Sequence, residues 1–245
     1  MTFGSLFAGI GGMDLGLERA GMTCKWQVEI DPFCRRVLTK HWPEVPKYGD
    51  IRGVTELEPV DVFAGGPPCQ DVSISGERRG IGEGTRSGLY REYLRLVDKL
   101  RPRFAILENV SGYIVPIGSN GAPIGNVLGD LAERGYDAEW HSITASQFGA
   151  PHERLRIFII AYPSGTRLSG SVINGKELRG AKIKASAKFG NRSVSCGGGW
   201  VDSERLRMGD GLPSGVVRKI IKACGNAVVP QVAEWIGRRI IEAAK

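Results

Sequence analysis

The chain has 245 residues, 42% of them hydrophobic and 24% charged, a composition that excludes a disordered chain and suits one large α/β domain or one domain with a small appendage. Thirty-three Lys and Arg against 26 Asp and Glu give a net charge of +7, which favours a polyanionic partner. No run approaches the roughly 20 apolar residues of a membrane helix and no basic-then-apolar leader opens the chain, so neither a membrane protein nor a secreted one is expected, and the cytoplasm is the expected compartment.

Thr2–Phe7 reads as a strand, Gly9–Gly12 as a tight turn, and Met13–Ala20 as a helix stopped by Gly21. Lys25–Ile30 is a second strand, after which Asp31 as N-cap and Pro32 at the first helical position start a helix. Val60–Ala64 is a buried strand running into Gly65-Gly66-Pro67-Pro68. Leu89, Tyr93, Leu94, Val97 and Leu100 share one face of a helix. Phe104–Val110 and Leu155–Tyr162 are further strands, and the alternation predicts an α/β fold with a doubly wound, mostly parallel sheet. Composition shifts at Pro163: residues 163–200 hold eight glycines, six serines, seven basic residues and one acid, so +6 of the net charge sits there. Val216–Cys224 and Pro230–Ala244 read as helices separated by Gly225-Asn226. The five cysteines form no CxxC pair, so neither a disulfide framework nor a metal site is expected.

Five stretches carry chemistry. Phe7-Ala8-Gly9-Ile10-Gly11-Gly12 joins a strand to a helix, where glycines let the backbone approach a ligand. Glu29 lies 20 residues after Gly9 at a strand end, where a carboxylate accepts hydrogen bonds from ribose hydroxyls. Asp14 stands where the third glycine of a dinucleotide pattern belongs, so no diphosphate is expected. Asp50 closes the next strand within reach of an adenine amino group, and with Glu29 it points to a nucleoside-containing cofactor. Gly65-Gly66-Pro67-Pro68-Cys69-Gln70 places a thiol at the carboxyl edge of the sheet, where ligands bind. A nucleophilic Cys69 needs a nearby cation or helix N-terminus, and the alternative is a buried structural cysteine, the reading given to Cys24, Cys34, Cys196 and Cys224. Glu108 ends an apolar strand, desolvated enough to hold a proton, or else it is a cap or surface acid. Arg154 and Arg156 share a strand face and suit a carbonyl oxygen or a phosphate, or else form a solvated edge pair. Gly225-Asn226-Ala227-Val228-Val229-Pro230 is a turn before a helix.

Taken in order, Pro67-Pro68-Cys69-Gln70, Glu108-Asn109-Val110, the Arg154/Arg156 pair and the Gly225–Pro230 turn closely resemble the motifs of the DNA cytosine-C5 methyltransferases, over residues 3–162 and about 204–240. Arg86-Ser87-Gly88-Leu89 resembles a further element of that family. The resemblance implies a Rossmann-like S-adenosylmethionine-dependent methyltransferase fold. Residues 1–162 would be the catalytic and cofactor-binding domain, 163–203 a short basic target-recognition region, and 204–245 a segment packing back onto the catalytic domain. It implies S-adenosylmethionine as cofactor, held by Phe7, Ala8, Gly9, Gly11 and Gly12, by Glu29 at the ribose with Ile30, by Asp50 and Ile51 at the adenine, and by Pro67, Leu89, Asn226 and Val228. It implies double-stranded DNA as partner and a cytosine flipped from the stack. Cys69 would attack C6, Glu108 would engage N3 and the amine, Arg154 and Arg156 would position O2, and the 70–88 loop would close over the base. A restriction-modification role goes with these. Only 42 residues separate Tyr162 from Arg205, fewer than the family's usual recognition region, and their basic character fits phosphate contacts. RNA cytosine methylation and a non-catalytic DNA-binding partner subunit stand as alternatives, and a homodimer or second subunit is left open.

Overall fold

The computed structural model describes residues 1–67, 86–110, 123–150, 152–172 and 214–245. Strands Thr2–Leu6, Thr23–Val28, Lys47–Tyr48, Val62–Gly65, Phe104–Val110, Tyr136–Ile143 and Arg156–Pro163, here β1 to β7, form one sheet in the order β3-β2-β1-β4-β5-β7-β6. Helices Gly12–Arg19, Pro32–His41, Arg86–Leu100, Pro123–Glu133, Ser214–Asn226 and Pro230–Ala243 are α1 to α6.

The first five strands pair in parallel, as the alternation predicts, but β7 runs antiparallel between β5 and β6. The reason lies in the connection. A parallel partner is usually reached by a helical crossover, whereas the segment 144–155 between β6 and β7 carries only a short 3₁₀ turn at Ala145–Phe148 among its described residues. Neither β6 nor α4 was expected from the sequence. β6 is an edge strand whose Asp137 and Trp140 are exposed, so its apolar alternation is diluted.

Both faces of the sheet are covered, and the strands read as near-continuous apolar runs for that reason. Along β5, Phe104 and Ile106 enter one core cluster with α1 and α6, while Ala105 and Leu107 enter the other with α3 and α4. A Cβ on Gly16 of α1 would collide with the Pro230 carbonyl of α6 and stand 2.5 Å from the Ala233 Cβ. Glycine there lets the two helices touch backbone to backbone, which seats the C-terminal segment on the first strand–helix unit. β7 runs on to Pro163, Val172 is buried in the α1–α6 cluster, and Ser169 donates to the Glu242 carbonyl, so residues 163–172 stay attached to this body.

Beneath the β1–α1 loop lies a buried polar network. Asp14 is 0% exposed, with Ser5 Oγ donating to its Oδ2 at 3.1 Å and Gln27 Nε2 to its Oδ1 at 2.7 Å. Burial pushes its carboxyl up from 3.8 to about 6, against the two hydrogen bonds that favour the anion. A raised folded-state value means that this group's stabilisation is complete below about pH 4 and is lost as pH rises through 6. Asp14→Asn, which keeps the shape and the Gln27 bond, is therefore expected to unfold at higher denaturant than wild type at pH 8, by roughly 3 kcal/mol. The gap should close at pH 4. Equal midpoints at both pH values would mean that Asp14 folds without its charge being felt.

Candidate active site

The carboxyl ends of β1, β2, β4 and β5 converge on one edge. Past β1 the chain turns sharply: Phe7, Gly9 and Gly11 have φ of 55°, 58° and 83°. Left-handed backbone is costly for an aromatic residue, so at Phe7 the surroundings hold a strained conformation of the sort that clusters at functional sites. Glu29 sustains the turn, because its Oε2 accepts the Gly9 N–H at 2.7 Å and its Oε1 the Asp31 N–H at 2.7 Å. Each oxygen keeps a further acceptor position. Nothing stands within 4 Å of where a Cβ on Gly9 would be, and Ile30 beside Glu29 is 61% exposed, so an open face and an unburied apolar side chain flank that carboxylate.

Asp50 caps the short 3₁₀ turn Ile51–Gly53, accepting the Arg52 N–H at 3.0 Å and pairing with the Arg52 guanidinium. Those bonds hold its carboxyl below the usual range. Ile51 and Pro67 are buried, and Leu89 is half-buried at the start of α3. Across the loop, α6 brings the Val228 carbonyl against Gly12, where a Cβ would collide with it. The seam between Gly11 and Val228 opens into a cleft of about 300 Å³. Asn226, exposed, ends α5, which runs through Gly225 instead of stopping before it.

A second cluster centres on Glu108 in β5. Its Oε1 pairs with Arg156 Nε at 3.0 Å, and its side chain is 13% exposed. Burial raises the carboxyl's affinity for a proton, and Arg156 and then Arg154 oppose this without cancelling it. A Cβ on Gly66 would stand 2.7 Å from Glu108 Oε2, so a larger residue at this position after β4 would force the carboxylate to move. Gly66 therefore lets the chain leading to Pro67 and on toward Cys69 pass against the carboxylate.

The two arginines take different routes to the same small cleft, which they line with Phe158 and Val228. Arg156 opens β7, whereas Arg154 lies ahead of the strand with φ of 37°, so strand periodicity does not govern the pair. Arg154 donates from Nη1 to the Gly225 carbonyl at 2.7 Å and from Nη2 to the Ala227 carbonyl at 2.6 Å. The expectation that Arg154 and Arg156 share a strand face is corrected here, because Arg154 lies outside β7. Arg154 is occupied in pinning the turn after α5, because the last carbonyls of a helix need donors. Cys69, most of the 70–88 loop and residues 173–213 lie outside the described residues.

A family model for C-5 cytosine-specific DNA methylases matches residues 1–191. The chain belongs to that family. It is 37% identical over 161 residues to the type II methyltransferase M2.BsuMI of Bacillus subtilis, covering 64% of this chain and 41% of that one, so it spans about two fifths of that relative's length. The type II methyltransferase M.AquIA of Picosynechococcus is 34% identical over 175 residues, covering 64% of this chain and 69% of its own. Among solved structures, a DNA modification methyltransferase encoded within an E. coli prophage shares 31% identity with a TM-score of 0.57, over 70% of this chain and 49% of that one. Spodoptera frugiperda DNMT2 matches in fold, with a TM-score of 0.56 and 21% identity over 69% of this chain and 52% of its own.

Within this member of the C-5 cytosine-specific DNA methylase family, the structure gathers Phe7, Gly9, Gly11, Gly12, Glu29, Asp50, Pro67 and Val228 along one sheet edge, and Glu108, Arg154 and Arg156 beside them. Three participants were missed by sequence reasoning. Gly66 was read as part of a turn, although it abuts Glu108. Trp42 backs Gly11, since a Cβ there would strike its ring. Asp14 was noted only as a failed glycine, and a lone acid in the first turn of a helix reads equally well as a dipole partner. Among the described residues no group of three or more His, Cys, Asp or Glu is placed to hold a metal, and no helix is long and apolar enough to cross a membrane.

Proposed function

We infer that this chain transfers a methyl group from S-adenosylmethionine to C5 of cytosine in duplex DNA, with Cys69 as a covalent nucleophile. The observation that carries the reading is the Glu108 site. A carboxyl whose proton is favoured by burial and which is oriented by Arg156 stands in β5 against Gly66, and Gly66 lies three residues before Cys69 in the chain.

The residues present fit the cofactor. Glu29 has acceptor positions left for ribose hydroxyls, Ile30 offers an exposed apolar surface for a purine face, and the open side of Gly9 admits close approach. Pro67, Leu89, Asn226 and Val228 would close the pocket, with Ala8, Gly11 and Gly12 beneath it and Ile51 at the adenine. When bound, S-adenosylmethionine supplies an electrophilic methyl group.

Cytosine C5 is a poor nucleophile while the ring is aromatic. Cys69 Sγ would form a bond to C6, and the electron pair released across the ring would be accommodated at N3 by the Glu108 proton. C5, now enamine-like, would be methylated. Transfer of the C5 proton to solvent water, with its C–H electron pair forming the C5–C6 double bond as the S–C6 bond breaks, would release the thiolate, and return of the N3 proton to Glu108 would restore the neutral aromatic ring and the acid. Arg156 would hold Glu108 in place and approach O2. The base must leave the stack for C6 to be reached.

The deciding assay supplies purified protein with methyl-labelled S-adenosylmethionine and unmethylated duplex DNA, with structured RNA as competitor, and maps 5-methylcytosine at base resolution. Label at one recurrent DNA context is expected. Label confined to RNA would overturn the DNA reading and favour the RNA enzyme.

A further inference from the structure

α5 carries Arg218, Lys219 and Lys222 and no acidic residue. At about 100° per residue these three fall within an arc of roughly 100°, and all three are exposed. Ala223 is buried and Ile220 half-buried, whereas Ile221 is exposed with the three cations, so Ala223 and Ile220 meet the protein while the cationic ridge faces outward. Among the described residues none of the three cations has an ion pair or hydrogen bond. The nearby carboxylates of the site are committed elsewhere, Glu29 to backbone N–H groups and Asp50 to Arg52. Lys222 lies close enough to Cys34 in α2 for its charge to favour the thiolate there, against the burial that pushes the thiol up.

We propose that this ridge binds the phosphate backbone of duplex DNA on the strand that presents its base to Glu108. The inference rests on the DNA-methylating reading and adds the surface that holds the duplex. Its basis is placement together with charge. Arg154 grips the carbonyls of Gly225 and Ala227 and also lies near Glu108, so the C-terminal end of α5 is fixed beside the reacting carboxyl. On this proposal a strand whose base reaches Glu108 would carry its phosphates past the ridge. Arg218 and Lys222 are about 6 Å apart along the helix axis, against one phosphate per roughly 3.4 Å of axis on each DNA strand, so three cations can meet two or three phosphates. The charge is local: α5 adds three cations to the basic stretch at 163–200.

The test is salt-dependent binding of a fluorescent duplex by wild type, by Arg218→Ala/Lys219→Ala/Lys222→Ala, and by Arg103→Ala, an exposed cation at the opposite edge of the sheet. Alanine is a strong helix former, so α5 is retained, and S-adenosylmethionine binding together with thermal unfolding reports that the fold is intact. The triple variant should lose roughly 10²-fold in affinity at 0.1 M salt. Its slope of log K against log salt should flatten by about 2 to 3, near 0.9 per lost phosphate contact. Arg103→Ala should match wild type. An unchanged slope in the triple variant, or an equal loss in Arg103→Ala, overturns the proposal, as does weakened cofactor binding in the triple variant, which would place the ridge at the cofactor instead. Tighter binding of a structured RNA than of the duplex by wild type overturns both this inference and the DNA reading beneath it.

Discussion

Cys69→Ser abolishes methyl transfer, by at least about 10⁴-fold, while leaving S-adenosylmethionine binding intact; that is the expected result of removing the nucleophile. The size follows from the chemistry. A free thiol has a pKa of roughly 8.5 and is a few per cent thiolate at neutral pH, whereas a serine hydroxyl supplies essentially no alkoxide. The direct readout is the covalent adduct. A duplex carrying 5-fluorocytosine at the target offers no C5 proton to lose, so the S–C6 bond cannot be released after methylation. Wild type should then form a denaturation-stable protein–DNA species whose mass equals protein plus methylated oligonucleotide, and the serine variant should form none. Turnover retained by Cys69→Ser would falsify the covalent route.

Glu108→Gln should lower kcat by roughly 10² to 10⁴-fold with cofactor affinity unchanged, the range for loss of a positioned proton donor. Glutamine keeps the volume but cannot hold the proton that N3 needs. It also leaves the Arg156 guanidinium facing a neutral partner in a site that is largely buried, so a modest loss of stability accompanies the kinetic defect. The pH profile separates the two effects. Burial raises the Glu108 carboxyl, so its protonated form persists to higher pH than an ordinary glutamate's, and the rate falls on the alkaline side as that proton is lost. The glutamine variant should lack this alkaline limb. A variant with reduced rate but the wild-type profile would assign that limb to another group and Glu108 to positioning.

Much of this site is legible without coordinates because its parts lie at strand ends, and a strand end is a local feature. The alternation of apolar runs with helical patterns places Glu29 and Asp50 just past a strand and Glu108 in the last half of one, and a parallel sheet brings such positions to one edge. The cofactor loop is equally local, since its glycines are adjacent in sequence and three of its residues from Phe7 to Gly11 have positive φ. Periodicity failed where the chain leaves regular structure. Arg154 and Arg156 are two residues apart, but Arg154 lies ahead of β7 in left-handed backbone, and a two-residue period holds only inside a strand.

The sequence by itself determined the family and the α/β alternation and picked out the side chains proposed to react, because motif order and hydrophobic period are properties of neighbouring residues. The tertiary structure alone decided what each of those side chains is bound to. Arg154 grips carbonyls 71 and 73 residues away, Gly66 makes room for Glu108, and Gly16 lets α6 reach the first strand–helix unit. Asp14 carries a raised carboxyl because a closed core removes it from water, an effect that the hydrogen bonds from Ser5 and Gln27 oppose without cancelling. Such contacts depend on desolvation and close approach between segments far apart in the chain, and no local pattern records them.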